Sequence, residues 1–316
     1  MNRNRWTNSS GILSLPAGVD PGKLVRAVQA SGYPLQTVVA RRLSEQFNIV
    51  EEWGYVDRVS HDHRTLDIFA QRSLEAKSPR LEPALVLLVE CKRSDLPYVF
   101  FAAAIPRTPS ELPSIFGLAR NRFLLYGEPS RHREVPIAHF LRCSDFPFVR
   151  SGPVIVSTFS RVERKGKEFK LSGSEPYNAL VLPLASALEH YRETWSGVRQ
   201  HQERYWPTLA ICLAVIDAPF VVASGTPEEP DLRTTRWVRL VHQEALREGD
   251  GWRRKPYFVD AVCRGVLGEY LDQHIVPFAE QVASRMAEQQ DLVLAEEGRV
   301  PDWDDWSWGD MRPTSS

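Results

Sequence analysis

The hydrophobic pattern along the chain alternates between two periods. Leu35, Val38, Val39, Leu43 and Phe47 recur at helical spacing behind Pro34, so a helix opens there, and Asp20-Pro21 offers a start for an earlier helix over 22–31. From Trp53 to Ala70 the pattern changes to that of a hairpin: Trp53-Gly54-Tyr55-Val56, a polar turn from Asp57 through Ser60-His61-Asp62-His63, then Thr65-Leu66-Asp67-Ile68-Phe69-Ala70. Leu85-Val86-Leu87-Leu88-Val89 is an unbroken aliphatic run, the pattern of a strand buried on both faces.

Further strands are expected at Pro153–Thr158, Leu209–Val215, Pro219–Ala223, Trp237–Val241 and Tyr257–Val262. Pro106 to Pro113 reads as a loop. Ser174-Glu175-Pro176 carries the cap and first-turn proline of a long helix, and a closing helix over about 267–286 is expected to break at Pro277. Such alternation suits an α/β fold with a mixed sheet flanked by helices. The expected organisation is a loose arm over 1–19, one α/β unit over 20–290 with an alternative subdomain from about 200, and an acidic tryptophan-rich tail over 291–316.

Composition narrows the function. The 316 residues carry a formal charge of −1, so there is no global basic field, and a nucleic acid must meet a local patch. Basic clusters lie at Arg131-His132-Arg133 and over Arg161, Arg164, Lys165, Lys167 and Lys170, although such runs are more often solvated faces. The four cysteines are scattered without a CxxC pair, which argues against structural zinc and a disulfide framework. The polar N-terminus lacks a signal-peptide core, and no apolar run approaches the ~20 residues of a membrane span. A soluble cytoplasmic protein is expected.

The candidate chemistry sits where the aliphatic run ends in Glu90-Cys91-Lys92. Side chains two apart on a strand share a face, so Glu90 and Lys92 point together while Cys91 turns into the core as a buried thiol. Asp67 lies between Leu66 and Ile68, where an acid is costly to bury unless a cation or a donor compensates it. These groups form either a structural ion pair at a sheet edge or a cation-ready acidic corner. His61-x-His63 sits in the polar turn without a further ligand and reads as solvent-facing or backbone-contacting.

Asp67 followed by Glu90-Cys91-Lys92, with the helix at Tyr33-Pro34-Leu35-Gln36 and the hairpin before it, resembles the PD-(D/E)xK nuclease superfamily over about residues 33–101. The resemblance implies a restriction-endonuclease-like fold with a C-terminal β/α elaboration, and a Mg²⁺-dependent endonuclease, with Mn²⁺ as substitute, acting on DNA in bacterial defence or repair. It assigns Asp67, Glu90, Lys92 and Gln36 to catalysis. Asp67, Glu90 and the Cys91 carbonyl become metal ligands, and Lys92 the group that positions or deprotonates water, a nearby cation depressing its pKa. His63, Arg64, Arg93, Arg131 and Arg133 are the expected DNA contacts. A homodimer is also implied; apart from the resemblance, the C-terminal strands and the tryptophan tail are the expected docking region for a protein partner. One departure is that Gln36 stands where such proteins place a helix glutamate, while Glu45 is an acid further along. A silent DNA-binding or assembly protein and a partner-activated subunit are therefore the alternatives.

Overall fold

The computed structural model describes residues 16–299, apart from 103–111, 119–121, 128–130, 196–199, 202–203, 227 and 249–250. The loop expected from Pro106 to Pro113 thus falls largely outside the described residues, as do the tryptophans of the tail.

Helix α1 (Pro21–Ala30) begins where Asp20 accepts the Lys23 N–H at 2.6 Å and Pro21 fills a position that needs no donor. Helix α2 (Tyr33–Leu43) buries Leu35, Gln36, Val39, Ala40 and Leu43 on one stripe. The hairpin β1 (Asn48–Val56) and β2 (His63–Ser73) is longer than its sequence pattern indicates, because pairing runs back to Asn48 opposite Gln71 through a largely exposed stretch with no apolar alternation. In β3 (Ala84–Arg93), every residue from Ala84 to Cys91 is buried.

The chain continues through β4 (Tyr98–Ala102), β5 (Ser114–Phe116), β6 (Arg122–Gly127), β7 (Arg131–Pro136) and the short helices α3 (Ile137–Phe140) and α4 (Pro147–Arg150). Then come β8 (Val154–Lys165), β9 (Glu168–Leu171), α5 (Glu175–Trp195), β10 (Gln200–His201), β11 (Arg204–Tyr205), β12 (Thr208–Asp217), β13 (Phe220–Gly225), β14 (Pro230–Thr235), β15 (Trp237–Glu248) and β16 (Gly251–Cys263). Helix α6 (Leu267–Glu269), a π-helical turn (Tyr270–Ile275), α7 (Val276–Glu288), α8 (Gln290–Ala295) and β17 (Glu297–Arg299) follow.

The main sheet has twelve strands in the order β1-β2-β3-β12-β16-β15-β8-β4-β13-β14, with β5 on β12 and β9 on β8. It is a mixed sheet flanked by helices. Strand β12 lies parallel to β3 from Thr208 opposite Ala84 to Asp217 opposite Arg93, so the last third of the chain enters the same sheet as the first. Beyond that register, β3 turns into β4 and β12 into β13, again as a parallel pair, with Ser94 N–H donating to Asp217 O at 3.1 Å and Tyr98 N–H to Pro219 O at 3.0 Å. Both strands bend in step.

Core lies on both sides of the sheet. Leu85, Leu87, Val89 and Cys91 pack with α2 and α7, while Val86 and Leu88 pack with Leu180, Leu184 and Leu188 of α5. Two expectations are corrected. Strand β8 does not stop at Thr158 but carries the second basic cluster into a hairpin with β9. The closing helix is interrupted by the π turn ahead of Pro277, and the proline occupies the first turn of α7, where its missing N–H costs little. Residues 131–136 belong to a separate three-stranded sheet, β17-β6-β7, into which Glu297–Arg299 pair beside Leu124–Tyr126.

Candidate functional site

The site is built where β2 and β3 part. Their antiparallel register ends with Ile68 opposite Val89, and the same register puts Asp67 opposite Glu90, on one face. The Cys91 N–H donates to Asp67 Oδ2 at 2.6 Å. Lys92 Nζ donates to Glu90 Oε1. Glu90 is buried, and among the described residues its Oε2 has no hydrogen-bond partner. An uncompensated buried carboxylate oxygen is expensive, so this atom marks a site lacking a donor or a cation.

The charges agree with that geometry. Burial, reinforced by the Asp67 carboxylate and only partly offset by Lys92, pushes Glu90 up to about 7. Asp67 is also raised, first by burial and further by Glu52, against the pull of the Cys91 N–H and Lys92. For Lys92 burial works to lower the pKa, but Glu90 and Asp67 outweigh it and hold the ammonium above its ordinary range. The carboxylates thus set the direction at Lys92. The Cys91 thiol is buried and pushed up, as a core thiol should be; only its backbone joins the site.

Helix α2 contributes Gln36, whose Nε2 donates to Asp67 O at 3.0 Å and to Glu52 Oε1 at 2.8 Å. Glu52 is a residue that the hydrophobic pattern does not single out. It stands between Glu51, opposite Ile68, and Trp53, opposite Leu66, with a left-handed φ of 50°. The signal for it is the doubled acid Glu51-Glu52 ahead of Trp53. Glu45 takes no part: it is exposed and paired with Arg42.

Asp67, Glu90, Lys92, Gln36 and the Cys91 backbone therefore come together. The expected DNA contacts scatter. His63 and Arg64 are exposed at the start of β2, with Arg64 3.6 Å from Asp57. Arg93 ends β3 and donates to Gln29 O and to Asp95. Arg133 is exposed on β7 in the separate sheet, and the side chain of Arg131 lies outside the described residues. His61 and His63 are both exposed.

Among the described residues no group of three or more His, Cys, Asp and Glu side chains is arranged to hold an ion. Magnesium does not require one: one or two carboxylates suffice, with other oxygens completing its shell. Two opposed carboxylates whose pKa values are both raised, that of Glu90 by burial and Asp67 and that of Asp67 by burial and Glu52, one with an orphaned buried oxygen, fit that demand. No family model, curated protein or solved structure matches the chain. Among the described residues no helix is long and apolar enough to cross a membrane.

Proposed function

We propose that this chain is a divalent-metal-dependent nuclease built on a restriction-endonuclease-like core of α2, the β1–β2 hairpin and β3, hydrolysing DNA phosphodiester bonds in bacterial defence or repair. The observation that carries this reading is the opposition of Asp67 and Glu90, with a buried Glu90 oxygen left unpartnered beside Lys92. Asp67 and Glu90 would hold Mg²⁺ or Mn²⁺ with the Cys91 carbonyl. When bound, the metal supplies charge relief at the phosphate and polarisation of its oxygens. Lys92 holds its proton at Nζ against Glu90 and orients a water or a phosphate oxygen by charge. Gln36 fixes the backbone of Asp67 and keeps Glu52 in place.

The test is incubation of purified protein with supercoiled plasmid in Mg²⁺ or Mn²⁺. Cleavage that disappears in Lys92→Ala and in EDTA supports the reading. A second reading, a silent DNA-binding protein, is favoured by one observation: Gln36 spends its amide donor on Glu52 and Asp67 instead of presenting a carboxylate. DNA binding that persists in EDTA, with no cutting under any metal, selects that second reading.

A further inference from the structure

The β8–β9 hairpin is a basic projection. Over 161–171 it carries Arg161, Arg164, Lys165, Lys167 and Lys170 against Glu163 and Glu168, whereas the whole chain has 39 basic and 40 acidic residues. Strand β8 pairs with β4 as far as Arg161 opposite Tyr98, and Val162 N–H donates to Pro97 O at 2.9 Å. From there β8 runs past the start of β4 and pairs only with β9, Val162 opposite Leu171 and Lys165 opposite Glu168, turning at Gly166 with φ 64°.

The overhang leaves from the site's own edge. Pro97 and Tyr98 begin the bend that follows Lys92, and the buried Tyr98 hydroxyl lies within electrostatic reach of Arg161, Glu175 and Lys92 together. Arg161 shares the face of Tyr98 and is held by Glu163 at 2.8 Å and Glu175 at 3.3 Å. Beyond it the cations are held less tightly. Among the described residues Arg164, Lys165 and Lys167 make no ion pair, and Lys170 reaches Glu168 only at 3.9 Å. Arg164 covers the Phe169 ring at 5.6 Å, yet Phe169 stays 62% exposed and Leu171 50% exposed.

A solvated charged face has no need for an exposed aromatic and an exposed leucine between its cations. A surface that tracks a duplex backbone combines both, cations for the phosphates and apolar side chains against the sugars. We infer that the β8–β9 hairpin is the arm that grips duplex DNA and leads its backbone to the Asp67–Glu90–Lys92 edge, with Arg164, Lys165 and Lys167 on phosphates. The inference rests on the nuclease reading of that edge for its purpose, but its test does not.

The test is anisotropy of a short fluorescein-labelled DNA duplex titrated with full-length protein in EDTA, across about 50–200 mM salt. The triple variant R164Q/K165Q/K167Q is expected to bind at least about tenfold more weakly, with a salt slope smaller by about 2–3. The charge-keeping pair K165R/K167R is expected to bind like the natural chain. Matched thermal melts separate lost contacts from lost fold. The inference is overturned if the natural chain binds no duplex, or if a folded triple variant binds within twofold with an unchanged slope. Plasmid cleavage is scored separately. No cleavage beside hairpin-dependent binding removes the nuclease reading alone, and cleavage beside hairpin-independent binding removes the arm alone.

Discussion

One step beyond the last rung of the β2–β3 pair, Asp67 stands opposite Glu90 and accepts the N–H of the residue that follows it, Cys91. The ladder does not fray there; a carboxylate replaces a main-chain carbonyl as acceptor. Two acids are thereby fixed on one face, Glu90 buried and Asp67 half-buried, where neither ionises freely.

The first consequence is a pH signature in metal-free protein. Glu90 titrates at about 7 in the folded chain against 4.5 unfolded, so the folded state holds the extra proton between those values. Stability must fall as pH rises through that window, by up to about 3 kcal/mol, an upper bound because Lys92 shares the charge. Urea unfolding in EDTA at pH 5 and pH 8 measures the slope. Glu90→Gln should flatten it, and an unchanged slope in that variant refutes the assignment.

Lys92→Ala should reduce Mg²⁺-dependent plasmid cleavage by at least about a hundredfold without unfolding the chain, a loss of the size general acid–base groups contribute. Lys92→Arg should not restore it, since a planar guanidinium does not reproduce a compact ammonium against Glu90. Cleavage rates and far-UV circular dichroism of both variants check this.

Gln36→Glu tests the helix position directly. It removes an amide that donates to both Glu52 and the Asp67 carbonyl and sets a carboxylate beside Glu52. In EDTA the variant should lose about 2 kcal/mol. Mn²⁺ should recover more stability in the variant than in the natural chain, because a ligand that binds only the folded state stabilises it by mass action. Thermal shift with increasing Mn²⁺ reads the difference, and equal shifts count against Gln36 facing the metal position.

Away from the site, Arg239 and Asp260 form a fully buried two-bond ion pair at 2.6 and 2.9 Å. Arg239 also donates to Phe148 O, and Asp260 accepts the Tyr270 hydroxyl. Asp260→Asn should cost about 3–5 kcal/mol in urea unfolding, since it strands a buried guanidinium. A loss below about 1 kcal/mol would mean that water reaches the pair.

Local signals made much of this legible. The aliphatic run to Val89, the cap at Asp20, the proline in the first turn of α2 and the acid–x–lysine ending all act over a few residues, and the structure forms each element they announce. What stayed hidden depends on distant partners. The far half of β8 offers little apolar alternation and is a strand because β9 and β4 supply its hydrogen bonds. Arg239 and Asp260 sit on strands whose pattern marks charges as solvent positions, and only their pairing across β15 and β16 buries them. Glu52 enters the site through a left-handed backbone that no spacing rule anticipates. Charge alone marks Arg133 as a DNA contact, while its place on β7 in the separate sheet follows from pairing with β6.

The in-step bend of β3 into β4 and β12 into β13 has a mechanical consequence. With Ser94 stapled to Asp217 and Tyr98 to Pro219, the corner behaves as a stiff elbow rather than a joint. Any force applied at the tip of the β8–β9 hairpin reaches Lys92 through a double-stranded brace, and swinging one against the other requires tearing main-chain hydrogen bonds from both strands at once.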